Sequence, residues 1–252
     1  MPEEIEYGAE GGEKQLLDVY RPAGGRPGPV AVVVHGGGWG SGDKRADVPF
    51  IDALVAAGVV VFSINYRLAP KHPWPACLDD VHAAVTWARR HAGQYGGDPA
   101  RLALIGYSAG GHLACQDAIT REAPGDVAAV VALAAPTDMV LDNFRRLGVS
   151  PALRAVLGRT EVDDDTLEVL WQMSPINHLR PGLCPFLLVH GTTDTSVPYS
   201  QSTHLQKRLR DLGVAAELIT LEKAGHRISD WPQFDPRYAE RIAEWVISTL
   251  RA

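Results

Sequence analysis

The hexapeptide Gly106-Tyr107-Ser108-Ala109-Gly110-Gly111 sets a serine in the pattern G-x-S-x-G, directly after an apolar run at 102–105 and at the start of a helical pattern. A serine on so sharp a strand-to-helix turn is forced into a strained conformation, and the flanking glycines leave room for neighbouring backbone to approach. Strain of this kind costs ~1–3 kcal/mol and persists only where the surrounding fold holds it. The helix that follows presents unpaired N–H groups beside the hydroxyl. Such a hydroxyl suits nucleophilic attack on a carbonyl carbon, once a base removes its proton. A second segment, His35-Gly36-Gly37-Gly38-Trp39, follows another apolar run at 30–34. Consecutive glycines let main-chain N–H groups point into a cavity with no Cβ in the way. Aimed at an oxyanion developing on that carbonyl, one such donor is worth about 2.7–4 kcal/mol of barrier.

Both segments need a rigid frame. Continuous apolar runs occur at 30–34, 58–64, 102–105, 128–133, 186–189 and 216–221, the habit of strands buried on both faces of a parallel sheet. Shorter strands at 5–7 and 16–20 pair across the turn Glu10-Gly11-Gly12-Glu13. Helical patterns lie at 46–57, 77–95, 110–121, 199–212 and 236–250, and the last keeps Tyr238, Ile242, Trp245, Val246 and Leu250 on one face. This alternation predicts an α/β fold, doubly wound, with a mostly parallel sheet of about eight strands and helices on both faces. Residues 139–172 break the rhythm with short helical pieces and no strand, which predicts a helical insertion in one domain spanning 1–252.

Composition narrows the function classes. The 252 residues are 46% hydrophobic and 21% charged, as in ordinary globular domains and unlike disordered or fibrous chains. A core of this size needs no metal or disulfide to hold it. With 24 basic and 30 acidic side chains and a net charge of −6, there is no basic footprint for nucleic acid. No apolar run approaches the ~20 residues that span a bilayer, so no membrane partner is expected. The polar, acidic opening at 1–12 does not read as a signal peptide. Cys77, Cys115 and Cys184 lie far apart without a C-x-x-C pair, which predicts a cytoplasmic protein.

In this order and on these strands, HGGGW and GYSAGG resemble the α/β-hydrolase superfamily. The similarity is greater to carboxylesterases of the hormone-sensitive-lipase type and the related small acetyl/feruloyl esterases. Asn65-Tyr66-Arg67-Leu68-Ala69-Pro70 with Pro73-Trp74-Pro75-Ala76 is similar to that family's YRLAP…PFPA stretch. The resemblance extends from residue 30 to residue 226. It implies the α/β-hydrolase fold and the chain order serine, acid, histidine. His226, in Lys223-Ala224-Gly225-His226 just beyond the strand at 216–221, is then the base, in a loop at the carboxyl edge of the sheet where open α/β folds keep their sites. Asp194, in His190-Gly191-Thr192-Thr193-Asp194-Thr195-Ser196-Val197-Pro198, resembles the family's HG-x-x-D-x-x-V-P and would orient the imidazole. Asp138 also ends a strand and stays its competitor. The resemblance assigns the oxyanion donors to the N–H groups of Gly37, Gly38 and Ala109, with Trp39 N–H as a substitute.

These residues imply hydrolysis of a small-molecule ester through a Ser108-His226-Asp194 triad and an acyl-enzyme, without metal or organic cofactor. Family members of the lipase type usually carry a helical cap ahead of HGGG, whereas about 34 residues precede His35, enough for the opening strands. The expectation is therefore no N-terminal cap domain, an open cleft and a preference for short acyl chains. Candidate pocket walls are Trp39, Tyr107, Trp74, Met139, Trp171 and Ile228, the last with Arg227 in place of the family's Gly-Phe. His35 and His190 read as structural, Arg67 as half of a buried ion pair, and Asp79 and Asp80 as residues that open or cap a helix. An arylformamidase or an acetyl-xylan/feruloyl deacylase would share every one of these residues. A non-catalytic ligand-binding member of the same fold would usually have lost one triad residue. The final helix around Trp245 and the edge strand at 216–221 are candidate homodimer surfaces.

Overall fold

All six apolar runs and both shorter segments hold strands in the computed structural model, which describes residues 2–24, 27–46, 50–122, 125–146, 148–159, 161 and 163–251. They are β1 (Glu3–Gly8), β2 (Gln15–Tyr20), β3 (Gly28–Val34), β4 (Val60–Ile64), β5 (Gly97–Tyr107), β6 (Ala129–Leu133), β7 (Phe186–Gly191) and β8 (Ala216–Leu221). One sheet joins them in the order β1-β2-β4-β3-β5-β6-β7-β8. β1 and β2 enter antiparallel, and β2 also runs antiparallel to β4. Every later pairing is parallel. Parallel strands need crossovers, and helices supply them: α1 (Phe50–Ala56), α2 (Ala76–His91), α3 (Ala109–Thr120) and α7 (Ser200–Asp211), while α8 (Tyr238–Thr249) follows the last strand. The helix expected at 46–57 is described from Phe50 onward; residues 47–49 lie outside the described residues.

The two-residue period of β3 divides the core. Val30, Val32 and Val34 pack with Val81, Val85 and Leu113 of α2 and α3. Ala31 and Val33 point the other way, to Phe50, Leu54, Ile242 and Val246 of α1 and α8. A strand covered on both faces has no polar side to show, which is why these runs read as unbroken hydrophobic stretches. Within 139–172 lie α4 (Met139–Arg146), α5 (Pro151–Leu157) and α6 (Asp164–Gln172), with 147, 160 and 162 outside the described residues. Among the described residues, only β1 and β2 precede β3.

Arg67 does form the expected ion pair. Its Nη2 and Nε lie 2.7 and 2.9 Å from Asp80 Oδ1. Asp80 is thereby corrected: instead of capping α2 it is buried within it, and it also accepts the Arg67 backbone N–H at 2.7 Å. This bidentate bond ties the segment after β4 to α2. At the far edge of the sheet, Trp245 Nε1 of α8 donates to Glu217 Oε1 of β8 at 2.8 Å. Among the described residues, no helix is long and apolar enough to cross a membrane.

Candidate active site

Ser108 stands between β5 and α3 at φ 53° and ψ −119°, a positive-φ conformation that L-residues avoid. Its N–H donates to Leu133 O at 2.8 Å, and its carbonyl accepts from His112 N–H at 3.0 Å. The turn is this tight because two glycines permit it. A Cβ on Gly106 would lie 2.1 Å from Gly110 O, and one on Gly110 would lie 2.1 Å from Val34 O. The elbow is therefore wedged between β3, β5 and β6, which offsets its strain.

His226 follows β8 and Asp194 follows β7, so three strand ends supply three side chains. Ser108 Oγ lies 3.0 Å from His226 Nε2, although the two residues are 118 positions apart. On the other side of the ring, His226 Nδ1 donates to Asp194 Oδ2 at 2.7 Å. That bond puts the ring proton on Nδ1 and leaves the Nε2 lone pair facing the serine. Asp138, the competing acid, instead accepts the Leu141 N–H at 2.8 Å at the start of α4.

Asp194 is buried. Its Oδ1 accepts N–H groups from Ser196 at 2.9 Å and Val197 at 2.8 Å. His190 Nε2 stands 3.3 Å from Oδ2 and 3.0 Å from Val197 O. Burial alone would raise this carboxyl, but the bonds from His190, His226 and Val197 more than offset it and hold it well below the ordinary carboxylate range. A depressed folded-state pKa contributes stability that is present above the unfolded value, about 3.9, and is lost as pH falls toward the folded value. The urea midpoint should accordingly drop more steeply below about pH 4 in the native chain than in Asp194→Asn. Parallel midpoints in the two chains between pH 5 and pH 2.5 would contradict this.

The loop bearing His226 is held from below. Tyr107 O–H donates to His226 O at 2.6 Å, and burial pushes this phenol up to about 12. Trp231 Nε1 donates to Gly225 O at 2.9 Å, and its ring meets Tyr107 edge-on at 6.1 Å. Sequence reasoning missed Trp231, and missed that His190 touches the acid. For His190 the spacing carried a signal, since it sits four positions before Asp194 across a tight turn.

The glycine loop is equally braced. Gly37 and Gly38 have φ of 121° and 57°, and a Cβ on Gly37 would meet Ser41 O at 2.1 Å. His35 stacks on Tyr66 with ring centres 4.3 Å apart. Its Nδ1 donates to Gly36 O at 2.7 Å, and burial pushes its pKa down. Tyr66 O–H donates to His35 O at 3.2 Å, and Ala69 N–H donates to Trp39 O at 2.9 Å. The NYRLAP stretch thus serves as the buttress of this loop. Among the described residues, the N–H groups of Gly37, Gly38 and Ala109 have no acceptor.

Ser108, Ala109, His226, Gly37 and Gly38 open on one cavity of about 600 Å³. Of the six residues expected as walls, Trp39, Tyr107 and Met139 line it. Trp74, Trp171 and Ile228 do not. Trp74 packs against the His112 ring at 5.8 Å, behind the lining. Trp171 faces outward, 47% exposed, with its edge to His178. Ile228 is drawn into the core layer with Trp231. Their places are taken by residues of the insertion: Asp142 and Arg146 of α4, and Pro151, Ala152 and Leu153 of α5. Arg146 Nε donates to Asp142 Oδ2 at 2.8 Å. Among the described residues, no cluster of three or more His, Cys, Asp or Glu could hold a metal ion.

Comparison with known proteins agrees with this architecture. The chain is 34% identical to esterase LipQ of Mycobacterium tuberculosis over an alignment of 227 residues that covers 84% of this chain and 53% of LipQ. It spans about half the length of the curated relatives it matches first. Among solved structures, Thermogutta terrifontis esterase Est2 with bound butyrate superposes at a TM-score of 0.79 and 25% identity, covering 98% of this chain and 94% of Est2. The Pyrobaculum calidifontis esterase superposes at 0.83 with 25% identity, covering 100% and 86%. The BD-FAE family model matches residues 17–209, and the chain belongs to this family of hormone-sensitive-lipase-like α/β-hydrolases.

Proposed function

We propose that the protein is a serine carboxylesterase that hydrolyses short-chain acyl esters, working as one α/β-hydrolase unit with the 139–172 helices as a wall of its cleft. The observation that carries this reading is the continuous bond path from Ser108 Oγ through His226 to Asp194, at 3.0 and 2.7 Å. In the reaction, Ser108 Oγ attacks the ester carbonyl while His226 Nε2 takes its proton. The carbonyl oxygen becomes anionic and accepts from Gly37, Gly38 and Ala109 N–H. Collapse of this intermediate breaks the bond to the alcohol, which leaves with the proton from His226. Water then attacks the acyl-enzyme by the same route and regenerates the serine. Asp194 stabilises the imidazolium in both halves. The names of its relatives, all esterases or carboxylic ester hydrolases among the first matched, support the same bond type. Three free thiols fit a reducing cytoplasm.

The lining supports the short-chain preference. On the side of the glycine loop the wall is apolar and near: a Cβ on Gly38 would lie 3.1 Å from that of Ala152 in α5. The Asp142–Arg146 ion pair lines the same cavity, and a long alkyl chain laid over it would strip water from charged groups. Each added CH₂ gains about 0.8 kcal/mol only where it leaves water. On p-nitrophenyl esters, kcat/KM should peak between C2 and C4 and be at least about 100-fold lower at C16. Comparable turnover at C4 and C16 would refute the preference.

A further inference from the structure

Trp39 has an unusual conformation for a residue with a side chain. Its φ is 59°, immediately after Gly38, whose own φ is 57°. Left-handed backbone at a bulky residue persists only where its surroundings fix it. The indole is buried, and its Nε1–H donates to His112 Nδ1 at 3.1 Å. His112 lies wholly inside the protein, and its Nε2–H donates to Met173 O at 2.7 Å. The carbonyl fixes the tautomer, because only a protonated Nε2 can donate to it, and Nδ1 is left as the acceptor that the indole needs. Burial pushes this imidazole down to about 4, so it is neutral near pH 7. Ring centres 5.3 Å apart at 86° add an edge-on contact between the two side chains.

The position of His112 in the chain gives the contact its meaning. Its own N–H donates to Ser108 O at 3.0 Å, so it stands one turn from the serine on the same helix. We infer that His112 is a positioning residue that sets the oxyanion-donating loop against the nucleophile, by gripping the indole of Trp39 from the first turn of the serine's own helix. The loop rises from β3 and the serine from β5, and the indole–imidazole bond locks the two strand ends in one geometry. The contact between α3 and the insertion does not depend on it, since Gln116 Nε2 donates separately to Gln172 O at 2.8 Å. Among the described residues, His112 alone meets the indole N–H.

Three substitutions isolate the bond, and the inference rests on the esterase reading above. Trp39→Phe keeps an aromatic ring and deletes the donor. His112→Gln places an amide near the site of Nε2, keeping the Met173 contact and losing the indole. His112→Asn places an amide near the site of Nδ1 and keeps an acceptor for the indole. With p-nitrophenyl acetate, Trp39→Phe and His112→Gln should each lower kcat about 10–100-fold with KM within about twofold, because misaimed donors weaken the transition state and not ground-state binding. The double variant should fall no further than the worse single, and His112→Asn should recover most of the loss. Unchanged kcat in both single variants, or fully additive losses, would overturn the inference. If His112→Gln does not fold, Trp39→Phe alone decides. Hydrogen exchange at the Trp39 indole, assigned by the resonance missing in Trp39→Phe, separates this from the esterase reading. A native chain with no Ser108-dependent hydrolysis defeats that reading, yet a slowly exchanging indole N–H in the native chain and in His112→Asn, lost in His112→Gln, still supports the grip. Fast exchange in the native chain defeats the grip whatever the activity.

Discussion

Ser108→Ala is expected to lower kcat about 10⁵–10⁶-fold while the protein stays folded. The positive φ of the elbow is as strained for alanine as for serine, so the substitution removes chemistry and leaves the backbone energetics nearly unchanged. Without Oγ no acyl-enzyme forms. The N–H groups of Gly37, Gly38 and Ala109 could still polarise a bound ester, and this sets the residual rate. Substrate binding relies on the cavity walls, so KM should shift little. Initial rates on p-nitrophenyl butyrate, with thermal unfolding as the control for folding, measure the loss. A reduction smaller than about 100-fold would mean that another group attacks the carbonyl.

Asp194→Asn should lower kcat about 10⁴-fold, because it reverses the histidine tautomer. The native carboxylate accepts from Ser196 N–H, Val197 N–H and His226 Nδ1–H at 2.9, 2.8 and 2.7 Å. An amide has one acceptor atom and one donor. Two backbone donors claim the oxygen, so the NH₂ turns toward Nδ1. The imidazole then carries its proton on Nε2, pointed at Ser108 Oγ, and cannot accept another there. Asp138→Asn is the matched control. It disturbs only the turn in which Asp138 Oδ1 meets Leu141 N–H, and it should keep kcat within about twofold, as surface caps affect stability more than chemistry. A large loss in Asp138→Asn and a small one in Asp194→Asn would move the acid to the other strand end.

The sheet was legible because burial on both faces leaves a one-dimensional signature. Residues 30–34 are valine and alanine throughout, and only a doubly covered strand tolerates that. The elbow and the glycine loop were legible because their backbones demand glycine at fixed offsets: at Gly106 and Gly110 a Cβ would collide with main chain at 2.1 Å. The cavity walls were legible only in part, at Trp39, Tyr107 and Met139. Asp142, Arg146 and Ala152 belong to helices whose tilt over the sheet is set by packing, and no local pattern records which face they turn to the serine. Trp171 shows the opposite error. A large aromatic in the insertion reads as a wall, yet it faces solvent, because α6 buries Leu170 instead. Asp80 misled for a third reason. An aspartate near the start of a helix fits a capping role, and only the return of Arg67 from 13 positions earlier turns it into a buried ion pair. His112 and Trp231 escaped notice because their partners lie on other elements.

The most direct measurement is intact-mass and peptide mapping after exposure to a fluorophosphonate, an electrophile that traps a serine only when a base and oxyanion donors activate it. One adduct per chain is expected, mapped to Ser108, absent in Ser108→Ala and formed far more slowly in Asp194→Asn. No adduct on the native chain, or an adduct that survives Ser108→Ala, would contradict the assignment of Ser108, His226 and Asp194 as a working triad.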